Sequence, residues 1–281
     1  MPDPADVSVV VQGPVGEWTD QVLESVAQHL PGAQVVLSTW AGSTLPASAG
    51  TVDVVLSDDP GAGPVARDGA GNEVMTLNTS RMLTSTRAGL QRAERPYVLK
   101  LRTDSPLVSD DVLGWDAARA AGPDCLFTER IAVPSIATRS PHRSSAVLHH
   151  PSDCAHFGRA EDVVALWGDA PFDQDVNVGW WARRGAVPPL GVDVRLFNEQ
   201  VVWLSHLERR GVVDDYPHAG ATVSTAMSDR ALALLCSNFV VLELWQFGLR
   251  LPKLEGPVAA SSLDSYFWYE EWLAARQGSS L

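Results

Sequence analysis

The chain has little that would staple it or anchor it. Its cysteines, Cys125, Cys154 and Cys236, are odd in number, far apart and without a Cys-x-x-Cys pair, which argues against a disulfide framework and a zinc ribbon and fits a reducing compartment. No window reaches the roughly 18 apolar residues that a membrane span requires. Met1-Pro2-Asp3-Pro4-Ala5-Asp6 holds no basic residue of the kind that opens a secretory leader. The cytoplasm is the expected compartment, with a peripheral station at the inner membrane face left open. Positive charge is also scarce: 21 Lys and Arg face 34 Asp and Glu, a formal net charge of −13. Such a field repels polyanions, so nucleic acid is not an expected partner and an anionic surface would have to be met by a local patch. There is no internal repeat and no low-complexity tract, and the Gly/Ala/Pro-rich stretch from Gly61 to Gly71 reads as a surface loop. With 281 residues, 45% hydrophobic and 20% charged, the composition is that of an ordinary globule with material for one large α/β core.

What is present is an alternation of strands and helices. Val7-Ser8-Val9-Val10-Val11 is nearly all apolar, as in a strand buried on both faces of a parallel sheet, and it stops at Gln12-Gly13-Pro14. Trp18, Val22, Val26 and Leu30 recur every four positions before Pro31-Gly32, which predicts an amphipathic helix over Glu17 to Leu30. Gln34 to Leu37 predicts a strand ending in Ser38-Thr39-Trp40, and Val52 to Leu56 a third ending in Ser57-Asp58-Asp59-Pro60. Asn78 to Ala93 predicts a helix, after which Tyr97-Val98-Leu99-Lys100-Leu101 runs as a fourth strand into Arg102-Thr103-Asp104. This order is that of a doubly wound nucleotide-binding half, in which ligands sit beyond the carboxyl ends of the strands. Gln12, Ser38, Asp58 and Asp104 would then line one edge, although Asp104 with Ser105-Pro106 is also what a plain turn contains. Further on, the pattern predicts a helix over Val112 to Ala121, an extended stretch from Cys125 to Val133, and a short strand over Ala146 to His150. It also predicts a helix over Arg159 to Trp167 and a long helix over Met227 to Phe247. Trp268, Tyr269 and Trp272 read as a hydrophobic latch, with a sugar-stacking platform as the alternative.

Six stretches, taken in order, carry a family resemblance: Val9 to Pro14, Val36 to Trp40, Asn78 through Ser85-Thr86 to Asp104, His150-Pro151-Ser152-Asp153 with Phe157-Gly158, Asn198-Glu199-Gln200, and Asn238-Phe239. Together they resemble the WavE-type lipopolysaccharide synthesis family, which looks like a branch of the GT-A glycosyltransferases. The resemblance implies one α/β domain of GT-A (Rossmann-like) fold over residues 1–281, with a mainly parallel central sheet flanked by helices and a helical carboxyl-terminal part. Residues 1–105 would hold the nucleotide sugar and 106–281 the acceptor. It implies transfer of a sugar from a nucleotide-diphosphate donor to a hydroxyl of a glycan, lipid-linked or small natural-product acceptor, as in polysaccharide biosynthesis. One departure matters. Where a GT-A enzyme carries Asp-any-Asp, this chain has Arg102-Thr103-Asp104. Either Mg²⁺ or Mn²⁺ is held by Asp104 together with the donor phosphates, or Arg102 meets the diphosphate directly with its guanidinium fork.

The resemblance places Asp153 against the donor sugar, while its neighbours Ser152-Asp153 equally suit a helix cap. Glu199, in a polar triplet opening an apolar helix, is the expected acceptor-side base or sugar-hydroxyl ligand, though Asn198 as cap and Glu199 in the first turn also satisfy plain helix physics. On the donor side, Gly13 between Gln12 and Pro14 lets backbone approach a base or ribose. Asp58 would accept from a ribose hydroxyl or base amide. Arg81 and Ser85, one turn apart, would face the diphosphate, with Ser38, Thr39 and Thr103 completing the donor site. Asp173-Gln174-Asp175 reads as a solvated acidic loop. His149, His150, Asp153 and His156 crowd together, but at no spacing that a zinc site explains. A sugar nucleotidyltransferase and a non-catalytic carbohydrate-binding module are the rival readings. The first ordinarily shows a basic, Gly-rich loop after the first strand, and Gln12-Gly13-Pro14-Val15-Gly16-Glu17 has no Lys or Arg.

Overall fold

The computed structural model describes residues 1–61, 63, 65–67, 70–122, 124–143, 147–168, 170, 177, 179–187, 194–212, 216–255 and 263–277. The acidic run Asp173-Gln174-Asp175 lies outside the described residues. The strands are β1 (Val7–Gln12), β2 (Gln34–Trp40), β3 (Asp53–Ser57), β4 (Val65–Arg67), β5 (Glu73–Thr76), β6 (Tyr97–Arg102), β7 (Ile131–Pro134), β8 (Ala155–Arg159) and β9 (Phe239–Leu242). The helices are α1 (Thr19–His29), α2 (Thr79–Leu90), α3 (Asp116–Arg119), α4 (Ala160–Gly168), α5 (Asn198–Arg209), α6 (Thr225–Asn238), α7 (Leu244–Phe247) and α8 (Tyr269–Gln277). None of the described helices is long and apolar enough to cross a membrane.

Seven strands form one sheet in the order β3-β2-β1-β6-β8-β7-β9. The mixed α/β class, the mainly parallel sheet and the flanking helices are those expected. β1 is buried along its whole length, and each fully buried valine contributes about 1.5–3 kcal/mol through apolar area withdrawn from water. β2 and β6 flank β1, both parallel to it. The chain therefore steps outward through β2 and β3, then returns through α2 to the opposite side of β1. That reversal opens a crevice beyond the carboxyl ends of β1 and β6. The return is tightly packed: a Cβ on Gly89 of α2 would lie 2.4 Å from Val10 Cγ1 and 3.1 Å from Ser38 Cβ.

β8 is the exception to parallel order and a cause of the site. It pairs antiparallel with β6, Leu101 opposite Ala155, so the residues just before β8 arrive at the same edge as those just after β6. β7 is antiparallel to β8 and parallel to β9. The carboxyl ends of β7 and β9 therefore also point to that edge, and the segments that follow them are delivered there.

Several expectations need correction. The stretch from Gly61 to Gly71 contains β4, which forms a hairpin with β5. Val112 to Ala121 is split into a 3₁₀ turn over Asp111–Gly114 and the single-turn α3, because Trp115 leaves helical geometry between them. In the extended stretch, only its end joins the sheet, as β7. Val147 to His150 is not a strand: His149 takes the left-handed conformation, φ +58°, which a strand cannot contain. Instead, the Leu148 carbonyl accepts from Gln200 Nε2 at 2.6 Å. Asp153 thus precedes a strand and neither follows one nor caps a helix. The long helix after Met227 stops at Asn238. That side chain donates to the Leu234 carbonyl at 2.8 Å and accepts from the Leu126 N–H at 2.6 Å. Phe239-Val240-Val241-Leu242, aromatic and β-branched, then continues as the buried strand β9. Phe197, not Asn198, stands at the start of α5, its N–H donating to Gln200 Oε1 at 3.0 Å. Trp272 does latch α8 to the sheet: it is fully buried and its indole N–H donates to the Phe239 carbonyl at 2.7 Å.

Candidate active site

The crevice between β1 and β6 is a cavity of about 610 Å³, a size that suits a small-molecule ligand. A second cavity of about 200 Å³ adjoins it. Arg102, Asp104, Asp153 and Lys253 line both. The junction therefore gathers the end of β6, the approach to β8 and the segment downstream of β9, as the strand directions require.

Where the end of β1 meets the large cavity, the wall is main chain. Gly13 has φ +126°, and a Cβ there would approach Thr103 Oγ1 to 3.1 Å, so only glycine sits here without strain. The turn is tied down at three points. Gly13 N–H donates to the Ser38 carbonyl at 3.1 Å, Thr103 N–H to the Gln12 carbonyl at 3.1 Å, and Thr103 Oγ1 to the Pro14 carbonyl at 2.8 Å. Ser85 Oγ donates to Gln12 Oε1 at 2.7 Å, which fixes the amide at the end of β1. Gln12, Gly13, Pro14, Arg81, Ser85, Arg102 and Thr103 all line this cavity. Ser38 and Thr39, expected in the same site, do not line it: both are fully buried within β2. Asp58 does not line it. Asp59 does, and it holds Arg81 by two bonds of 2.7 and 2.5 Å. The Arg81 guanidinium hydrogen-bonded to Asp59 holds that carboxyl below the usual carboxylate range.

Asp104 is the most heavily bonded acid of the site. Arg102 Nε and Nη2 donate to its two oxygens at 2.9 Å each, Ser105 Oγ donates to Oδ1 at 3.4 Å, and Lys253 Nζ lies 2.5 Å from Oδ2. Burial alone would raise the carboxyl, but Arg102 and Lys253 overcome it and bring Asp104 down to about 2. A carboxylate offers about four acceptor directions, and here all four are taken. A divalent cation held by Asp104 would have to displace one of these donors, and no group of three or more His, Cys, Asp or Glu among the described residues is arranged to take one. As they stand, the residues around Asp104 do not fit the Mg²⁺ or Mn²⁺ that the resemblance implies. The histidine crowd does not form a zinc site either: His156 is buried in β8, edge-on to Trp167 at 5.4 Å, and its imidazole is held neutral by burial and by Lys100.

Asp153 is positioned by its main chain. Its carbonyl accepts from Lys100 Nζ, a fully buried ammonium whose pKa burial pulls down to about 8 and which also lies over the Trp167 ring at 4.8 Å. The neighbouring Cys154 is pushed up to about 11 by burial and by Asp153, so it stays a thiol and is not a nucleophile here.

Glu199 faces the small cavity from the first turn of α5. Its carboxylate lies 3.3 Å from His150 Nε2, and His150 Nδ1 lies 3.0 Å from the Ala137 carbonyl. A carbonyl only accepts, so Nδ1 carries hydrogen and Nε2 faces Glu199. Burial pushes the Glu199 carboxyl up, Asp153 adds to this, and His150 opposes it. Ala137, whose carbonyl orients the ring, sits at φ +68°, a costly conformation for alanine. Asn198, next to Glu199, accepts from Thr79 Oγ1 at 2.5 Å and so ties α5 to the start of α2.

Sequence reasoning missed Lys253, Asp59, Ala137 and also Tyr266, which lines the small cavity. Lys253 had one visible mark: Lys100 and Lys253 are the only lysines in the chain, and the structure brings both to this site.

The family model for WavE lipopolysaccharide synthesis matches residues 7–280. No curated protein matches the chain. Among solved structures the chain is similar to glucosyl-3-phosphoglycerate synthase from Mycobacterium tuberculosis. One of these is a complex with Mn²⁺, UDP and glucosyl-3-phosphoglycerate, at 13% identity over 86% of this chain and 84% of that one, with a TM-score of 0.40. Another, with Mn²⁺, UDP and phosphoglyceric acid, shows 13% identity over 88% and 81%, with a TM-score of 0.41. At those values the likeness assigns no ligand and no residue role to this chain. The match of the family model over nearly the whole length does establish kinship, and the chain belongs to the WavE lipopolysaccharide synthesis family.

Proposed function

We propose that the chain is a nucleotide-sugar-dependent glycosyltransferase that acts on a hydroxyl of a glycan, lipid-linked or small-molecule acceptor. It reads as one GT-A-like domain with the donor in the half formed by residues 1–105 and the acceptor in 106–281. The observation that carries this reading is the meeting of two cavities on Asp104 and Asp153, with Glu199 on the far side. Glycosyl transfer needs such a division: a long compartment for the nucleotide, a carboxylate near the anomeric carbon, and a smaller, drier compartment for the incoming hydroxyl.

In this reading the nucleoside lies along Gln12-Gly13-Pro14 and the diphosphate reaches Arg102. Asp153 faces the sugar, whose transition state carries oxocarbenium character and gains from nearby negative charge. The acceptor oxygen bonds the anomeric carbon while the bond from that carbon to the phosphate oxygen breaks and its electron pair leaves on the nucleoside diphosphate. In an inverting reaction Glu199 takes the acceptor proton. The loop after β1 has neither Lys nor Arg, which favours transfer over the nucleotidyltransferase reading. A cytoplasmic station is proposed with it.

The test is incubation with a panel of sugar nucleotides, following release of nucleoside diphosphate. One or more donors should be hydrolysed slowly, and Glu199→Gln should reduce turnover by about 10²–10⁴-fold with nucleoside diphosphate affinity unchanged. Pyrophosphate-dependent products would favour the nucleotidyltransferase, and sugar binding without any turnover the binding module.

A further inference from the structure

The disagreement between Asp104 and a divalent cation points further. We propose that Arg102 and Lys253 take the cation's place, so that the chain binds the donor diphosphate without a divalent metal. This rests on the glycosyltransferase reading.

Three features carry the inference. The first is the saturation of Asp104, whose oxygens already hold Arg102, Ser105 and Lys253. The second is aim. Arg102 spends Nε and Nη2 on Asp104, which locks the guanidinium plane, and its remaining N–H groups have no protein acceptor among the described residues while the side chain lines both cavities. Lys253 also lines both, with a side chain 64% exposed that reaches in from the 3₁₀ turn Pro252–Leu254. The third is charge. Arg102 and Lys253 balance Asp104 and Asp153 at the junction, so two cations are concentrated where the cavities meet in a chain of formal charge −13. The other cations nearby are less available: Arg81 is paired with Asp59, and Lys100 is buried on the Asp153 carbonyl. Asp104 in this arrangement is the holder of two phosphate-binding side chains and not a metal ligand.

During transfer, negative charge grows on the phosphate oxygen as its bond to the anomeric carbon breaks. Arg102 and Lys253 can each donate a charge-assisted hydrogen bond to that oxygen or its neighbours, and guanidinium supplies planar, bidentate recognition where an ammonium supplies a point charge. No co-reactant beyond donor and acceptor is needed.

Calorimetric titration of the whole chain with UDP, GDP, dTDP and ADP, once in excess EDTA and once in excess MnCl₂ or MgCl₂, tests this. The expected result is binding of at least one nucleoside diphosphate with affinity in EDTA within about twofold of that with metal. Lys253→Ala should weaken it roughly tenfold or more, the scale of a lost charge-assisted bond, and Lys253→Arg should restore most of the loss. Binding that requires Mn²⁺ or Mg²⁺ overturns the inference and leaves the glycosyltransferase reading standing. Metal-free binding indifferent to Lys253→Ala removes Lys253 from the site and overturns it as well. No binding of any nucleoside diphosphate in either buffer overturns the glycosyltransferase reading and the inference together.

Discussion

Lys100 and Asp104 lie four residues apart at the end of one strand and answer pH in opposite senses. Burial pulls Lys100 down to about 8 from its ordinary value of 10.5, so the folded chain prefers it neutral. The fold therefore bears a cost of about 3 kcal/mol below pH 8 that fades as pH rises toward 10.5. Lys100→Met should be at least as stable as the parent at pH 7 in urea unfolding, and its advantage should shrink between pH 8 and 10.5. Donor turnover should nonetheless fall, because the Asp153 carbonyl loses its partner. Asp104 works the other way. Its folded pKa of about 2 lies below the ordinary value of 3.8, so its contribution of about 2 kcal/mol is complete above pH 4 and is lost as pH falls toward 2. The stability gap between the parent and Asp104→Asn should narrow over that acid range, and a constant gap would show that the ion pairs do not form. Gln12 and Asp104 could be placed at the crevice because each ends an apolar run, and Glu199 stood out because its polar triplet opens one, whereas Asp153 came from the family resemblance. Lys253 was not legible, since nothing in its own neighbourhood says which strand end it will meet. Asp58 missed the cavity by one position: β3 runs to Ser57, and it is Asp59 that lines the cavity.

At the level of elements, the placement of the site depends on how closely α2 lies against β1 and β2. Gly89→Ala would drive a methyl group into Val10 and Ser38. It should destabilise the chain by about 1–3 kcal/mol, the range for overpacking, measurable as a lower urea midpoint with an unchanged slope. Trp272→Ala, which empties the latch beneath β9, should lose about 3–5 kcal/mol. The amino-terminal elements were readable from period alone, because β1, β2 and β6 are apolar runs between turn residues and α1 keeps a strict four-residue spacing. The remainder was not, for physical reasons. β9 continues α6 without a turn signal, and its strand character comes from pairing with β7, a contact distant in sequence. β8 is short and contains His156 and Gly158, neither of which advertises a strand. Its antiparallel direction, which brings Asp153 to Asp104, is a tertiary fact with no local mark.

Across the whole molecule, acidity and site are at odds, and the conflict is informative. A chain of net charge −13 repels a nucleoside diphosphate at long range, so added salt should leave donor affinity unchanged or improve it by screening that repulsion, until the local contacts to Arg102 and Lys253 are themselves screened. Affinity falling steeply from the lowest salt would mean that the long-range field attracts the donor. One sheet edge carries both cavities: β1 and β6 line the large one, the approach to β8 and the segment after β9 form the junction, and α5 presents Glu199 to the small one. The central claim is that the carboxyl-terminal edge of this sheet holds a sugar-activated diphosphate. Its most direct test is a crystal structure of the chain soaked with UDP or GDP. The diphosphate is expected within hydrogen-bond distance of Arg102 and Lys253, with the nucleoside along Gln12-Gly13-Pro14. A nucleotide found elsewhere, or an empty crevice at millimolar concentration, would contradict it.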